Sequence, residues 1–139
     1  MSIKKSILSR ISDWLTSRRK RYPITNEEAA KIIRNFVNGT STYDYEWDDF
    51  TCFIYENPDV NLALQLCWYF EGLYPARHNR EYCGAEAFPY FIAVADLLEA
   101  GQLHSFANDE TLQSFKPKTP KVPEELLQKI QEALTPLNP

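Results

Sequence analysis

Apolar residues recur at helical spacing along most of the chain. Ile3, Ile7, Leu8, Ile11, Trp14 and Leu15 share one face of a helix over 3–18, with Lys4, Lys5, Arg10 and Asp13 opposite. Tyr22-Pro23 breaks that pattern. Thr25, with Glu28 three residues on, has the spacing of a capping box. Ala29, Ile32, Ile33 and Phe36 then form the apolar stripe of a second helix, and Asn38-Gly39 supplies a left-handed terminator. Asn57-Pro58 opens a third helix over about 58–73, with Asn as cap and Pro in the first turn. Leu62, Leu66, Tyr69, Phe70 and Leu73 make one of its faces and Val60, Leu64 and Cys67 the next, while Asn61, Gln65 and Trp68 fall on the remaining side. A helix that is apolar nearly all round belongs at the centre of a core.

Tyr74-Pro75 ends the third helix, and a polar loop follows through Tyr82. The next helix occupies roughly 84–100, with Phe88, Phe91, Ile92, Ala95 and Leu98 on its buried face and Gly101 as its terminator; Pro89 either sits in its first turn or marks a later start near Phe88. Residues 102–107 read as irregular, and Asn108 or Asp109 caps a short helix through Leu112 and Phe115. The run K-P-K-T-P-K-V-P over 116–123 is an extended connector. A last helix begins at Pro123-Glu124-Glu125, with Leu126, Leu127, Ile130 and Leu134 on one face, and either packs home or serves as a partner-binding arm. The expected fold is all-α: a single-domain, irregular bundle of about five to seven helices with helix 58–73 at its centre. A basic amphipathic helix over 1–21 packs on a helical core over 22–115, and the connector leads to a C-terminal helix over 124–139.

One stretch departs from this pattern. Between Phe36 and Tyr55 the acids Asp44, Glu46, Asp48 and Asp49 interleave with Tyr43, Tyr45, Trp47 and Phe50. A solvated loop needs the acids and not the aromatics; a core needs the reverse. A surface that captures a basic, partly apolar partner wants both. The bland alternative is that Asp48 and Asp49 cap a helix and the rings pack locally. Phe50 to Tyr55 fits a helical turn or a short strand equally well.

Charge sharpens the picture. Residues 1–21 carry seven Lys or Arg against Asp13 alone, which leaves 8 of the 15 basic and 18 of the 19 acidic residues for positions 22–139, a net of −10. An acidic body repels nucleic-acid phosphates and speeds encounter with a basic partner. A basic leading helix lies on an anionic membrane or solvates its cations while its apolar stripe docks, and the second arrangement is the expectation here. No apolar run approaches the length of a membrane span, and Arg10, Asp13 and Arg18 interrupt any secretory core.

Other chemistry is sparse. Cys52, Cys67 and Cys83 form no C-x-x-C pair and are odd in number, so they read as reduced thiols rather than a disulfide framework or zinc site. The acids of 44–49 lack the spacing and glycine of a calcium loop. No phosphate-cradling glycine loop occurs, and no cofactor or metal is expected. The loop Arg77–His78–Cys83 offers a nucleophile with a nearby base, but no orienting acid or oxyanion element can be identified around it.

The elements N-G-T-S-x-Y-D and W-D-D-F between Asn38 and Phe50, then Asn57-Pro58, Leu73-Tyr74-Pro75 and Tyr82-Cys83-Gly84-x-Glu86, resemble a family of small bacterial proteins of unassigned function, some of which look like immunity proteins of contact-dependent or polymorphic toxins. The resemblance covers roughly residues 27–101 and implies a cytoplasmic, non-enzymatic, single-domain helical protein, with no catalytic residues to carry over. The expected function is therefore an interaction protein that binds a basic partner such as a toxin domain. Asp44, Tyr45, Glu46, Trp47, Asp48 and Asp49 are the expected contacts, with Trp68 as a further anchor. The alternatives are a small enzyme built on Arg77, His78 and Cys83, and a peripheral membrane adaptor using helix 3–18.

Overall fold

The computed structural model describes residues 21–107 and 122–134. The helix expected over 3–18, the short helix expected through Phe115, the connector as far as residue 121 and residues 135–139 lie outside them. Within them the chain is mostly helical: α1 (Asn26–Asn38), α2 (Glu46–Thr51), α3 (Pro58–Leu73), α4 (Phe88–Glu99) and α5 (Glu124–Leu134), with 3₁₀ turns at Ala85–Ala87 and His104–Phe106. It is not strictly all-α. The strands β1 (Arg21–Tyr22) and β2 (Ile54–Tyr55) pair in parallel, with Arg21 opposite Ile54 and Tyr22 opposite Tyr55.

The helix ends follow local chemistry. Thr25 Oγ1 accepts the Glu28 backbone N–H at 3.0 Å, satisfying one free donor of α1's first turn. Its hydroxyl donates to the Glu28 carboxylate, so the box closes through side chains. Gly39 ends α1 at φ 69°, and its N–H returns to the carbonyls of Asn35 and Phe36. Asn57 caps α3 by accepting from the Asp59 N–H at 3.1 Å, with Pro58 in the first turn. The helix expected from residue 84 starts as a 3₁₀ turn and becomes α-helical at Phe88, where Pro89 lacks an N–H that would have no partner anyway.

The bundle's hub is α4 rather than α3. Helices α1, α3 and α5 all pack against α4, and the α1–α4 contact is the most extensive. Phe91, Val94, Ala95 and Leu98 of α4 are fully buried, as are Ala29, Ala30 and Ile33 of α1; the alanines on both helices permit close approach. Helix α3 is also heavily buried and contacts β2, α1 and both 3₁₀ turns besides α4. Arg34 straps α1 to α4 at the surface, reaching Asp96 at 2.8 Å and Glu99 at 2.5 Å. Those two hydrogen bonds, the Glu99 bond first, hold the guanidinium above its ordinary range. Helix α5 is docked: Leu126, Ile130 and Leu134 are buried and it packs on α4.

Asn61 is buried, although the helical pattern sets it with Gln65 and Trp68 outside the two apolar faces. Its amide accepts the Tyr55 N–H at 2.8 Å and donates to the Tyr55 carbonyl at 2.8 Å, clamping β2 onto α3. The Tyr55 hydroxyl in turn donates to the Phe50 carbonyl at 2.8 Å. Gly84 allows a second tight approach, since a Cβ there would meet Glu86 Oε2 at 2.8 Å and the Tyr74 carbonyl at 3.3 Å. That space lets the Gly84 N–H reach the Tyr74 carbonyl, beside the Pro75–Cys83 bridge that closes the polar loop.

Candidate functional site

The segment 43–50 alternates between the core and solvent. Trp47 is 4% exposed and stacks on Phe36, centroids 4.3 Å apart and planes 13° apart, with Phe91 at 5.9 Å. Phe50 is buried beside Tyr55 at 5.5 Å. These rings pin the six-residue α2 against α1 and the hub. Glu46 is buried too, with one carboxylate oxygen accepting the Thr42 N–H at 3.3 Å and the Thr42 hydroxyl, and the other taking the Asn35 amide at 3.5 Å. A buried carboxylate needs such donors, and here they fold the turn 40–45 back onto α1.

Glu46 and Trp47 therefore cannot be the surface contacts that the sequence suggests. Their roles are internal: one braces the loop, the other anchors α2. What remains outside is Asp44, Tyr45, Asp49, the half-buried Asp48, and Tyr43. Tyr45 is 67% exposed and Tyr43 51% exposed. The Tyr43 hydroxyl donates to Asp49 Oδ2 at 3.0 Å, tying the turn to α2. That bond, with lesser contributions from desolvation and the nearby acids, holds the Tyr43 phenol above its ordinary range. Trp68 belongs to α3, half-buried against the core. Helix α2 packs most extensively on α1, so Trp68 and the patch belong to different helices.

The loop 75–84 is not arranged as an activated thiol requires. Arg77 pairs with Glu86 at 2.7 Å and His78 with Glu81 at 2.7 Å. Cys83 is buried; burial first, then the field of Glu71, Glu81 and Glu86, pushes its thiol up to about 11. A reactive cysteine needs the opposite, an electropositive and partly open setting. Among the described residues no group of three or more His, Cys, Asp or Glu is placed to hold a metal ion, and no helix is long and apolar enough to cross a membrane.

The structure also joins residues that no sequence pattern connects. Asn57 Nδ2 donates to Asn26 Oδ1 at 2.6 Å, Asn26 Nδ2 donates to the Leu98 carbonyl at 3.1 Å and to Asp59 at 3.3 Å, and His104 Nδ1 lies 3.2 Å from the other Asp59 oxygen. This network ties the starts of α1 and α3 to the end of α4 and the turn after it. Its members sit 31 to 72 positions apart, so only the fold reveals it.

Comparison with protein-family models, with curated proteins and with solved structures returns no match.

Proposed function

We propose that this chain is a non-enzymatic interaction protein whose acidic, tyrosine-bearing face captures a basic protein partner, and, more specifically, that it is a cytoplasmic immunity protein that occludes a toxin domain. The observation that carries the reading is the division of one short segment. Glu46, Trp47 and Phe50 are spent on the fold, while Asp44, Tyr45, Asp49 and Tyr43 are held outward on the frame they build. Carboxylates beside solvent-facing tyrosines combine long-range steering with low-entropy contact area. A rigid support limits the ordering cost on binding. The N-G-T and W-D-D-F motifs support the immunity reading only by resemblance.

The test begins with the product of the gene upstream in the source genome, co-expressed with the chain and assayed for a complex. The triple variant Asp44→Asn, Asp48→Asn, Asp49→Asn is then compared by stopped flow over a range of salt. The expected result is slower association with a flatter salt dependence at an unchanged urea midpoint. An association rate and salt slope equal to those of the parent would remove the acidic face from the mechanism.

A further inference from the structure

The ring packing that begins at Trp47 runs out to the surface. Trp47 meets Phe50 at 5.7 Å, Phe50 meets Tyr55 at 5.5 Å, Tyr55 meets Phe53 at 6.5 Å, and Phe53 lies against Tyr22 at 4.5 Å. The first three rings are buried, whereas Phe53 and Tyr22 are exposed. This outer pair sits where β1 joins β2. Arg21 stands opposite Ile54, one residue from Phe53, and the Glu56 N–H donates to the Tyr22 carbonyl at 2.9 Å. Glu56 is exposed, and among the described residues its carboxylate forms no ion pair. An apolar pair with an acid beside it is thus left open at the point where residues 1–20 enter the domain.

We propose that this open pair is the docking site of the chain's own leading segment, residues 1–20. The apolar stripe Ile3, Ile7, Leu8, Ile11, Trp14 and Leu15 covers Tyr22 and Phe53, and Arg18, Arg19 and Lys20 answer Glu56. Charge favours this occupant. Residues 1–20 carry six Lys or Arg against Asp13, while positions 22–139 carry a net of −10. The cations at 18–20 are tied within about 10 Å of Arg21 by the chain itself, about one Debye length at moderate salt. Reach allows it too. The stripe is about 20 Å long as a helix, and the stretch from Leu15 to Tyr22 spans at most about 25 Å, enough to fold back over the pair. Attachment at Arg21 holds the segment at an effective concentration of order millimolar, so a contact too weak to retain a separate molecule is populated within one chain. A second copy would instead bring another acidic body against the same acid. Helix α2 ends at Thr51, two residues before Phe53, so the docked segment also sets a basic border beside the acidic face.

The experiment uses the full-length chain alone, labelled on Ile and Leu methyl groups and on Phe and Tyr rings, so its outcome is independent of the partner proposed above. Nuclear Overhauser contacts between the methyls of Ile7, Leu8 or Ile11 and the rings of Tyr22 or Phe53 support the docking. The paired change Ile7→Ser, Ile11→Ser lies outside the body and is expected to abolish those contacts and to move the resonances of Tyr22 and Phe53, with the unfolding midpoint of the body retained. Glu56→Lys is expected to shift the docking equilibrium about five-fold toward release. Absence of these contacts, stripe contacts with another part of the body, or contacts indifferent to Glu56→Lys would each overturn the proposal. Contacts seen only between labelled and unlabelled chains in a mixed sample would overturn it as well, assigning the pair to a second copy.

Discussion

Tyr45 and Trp47 stand two residues apart in a run of acids, and the structure assigns them opposite energetics. Consider Trp47→Ala. The side chain is 4% exposed and stacked on Phe36 at 4.3 Å. A buried aromatic covers about 150–250 Å², which at about 25 cal/mol per Å² is worth about 4–6 kcal/mol. A compact unfolded ensemble trims that value, and large-to-small replacements of this kind cost about 3–5 kcal/mol in practice. Tyr45→Ala removes a ring that is 67% exposed and is expected to cost less than about 0.5 kcal/mol. Against a domain stability of about 5–15 kcal/mol, the first change takes a large share and the second almost none. Urea unfolding followed by far-ultraviolet circular dichroism measures both. In binding to the proposed basic partner the order is expected to reverse: Tyr45→Ala weakens the complex, and the Trp47 variant acts only through its fold. Equal stability losses for the two variants, or a Trp47→Ala cost below about 1 kcal/mol, would refute the division of the segment into frame and face.

Other expectations follow from the same geometry. Asn61→Leu keeps the branched shape of the side chain and favours the helix but strands the Tyr55 N–H and carbonyl, so it is expected to cost about 2–5 kcal/mol in urea unfolding, whereas a freely tolerated change would dismiss the clamp. Burial pushes the thiol of Cys83 up from 9.0 to about 11 and raises Cys67 and the Tyr55 phenol as well. These groups stay neutral in the fold while the unfolded chain ionises, so their stabilisation is intact below about 9 and lost as pH climbs toward 11; an unfolding midpoint that rises over that range contradicts the assignment. Of the three cysteines only Cys52 is exposed, so a chromogenic disulfide reagent at neutral pH is expected to label one thiol quickly and the other two only on unfolding. Fast labelling of Cys83 would revive a reactive-thiol function for the loop.

The helices were legible because their signals are local. Thr25, Gly39, Asn57 and Pro58 mark ends through hydrogen bonds within a turn, and α1 and α5 each show one clean apolar stripe. The hub was not legible. Both α3 and α4 are apolar over much of their surface, and periodicity cannot say which one three neighbours will choose. The short strand pair escaped for a related reason: two residues carry no period, and their pairing spans from Arg21 to Tyr55. At the candidate site, two of the six contacts expected in the segment, Glu46 and Trp47, turn inward. Interleaved acids and rings do not reveal which side chains turn inward, and a helix as short as α2 has too few turns to show a face. Glu46 reads as a surface acid until Thr42 and Asn35 are seen to surround it. The motifs behind the family resemblance share this character: Asn38-Gly39 ends α1, Trp47 and Phe50 fill the core, Asn57 caps α3 and Gly84 permits a close approach, so they specify architecture before chemistry.

The Asn61 clamp has a consequence for association between copies of the chain. A two-residue strand normally leaves one row of backbone groups open to any passing extended chain, a template for unwanted pairing. Here β1 occupies one side of β2, and on the other side a side-chain amide from α3 meets Tyr55 with the donor and acceptor that a neighbouring strand would offer. The carboxamide acts as a one-residue strand and closes that edge. The miniature sheet therefore cannot grow past Asn61, and its replacement would both loosen β2 and expose a sticky edge that the native protein keeps shut.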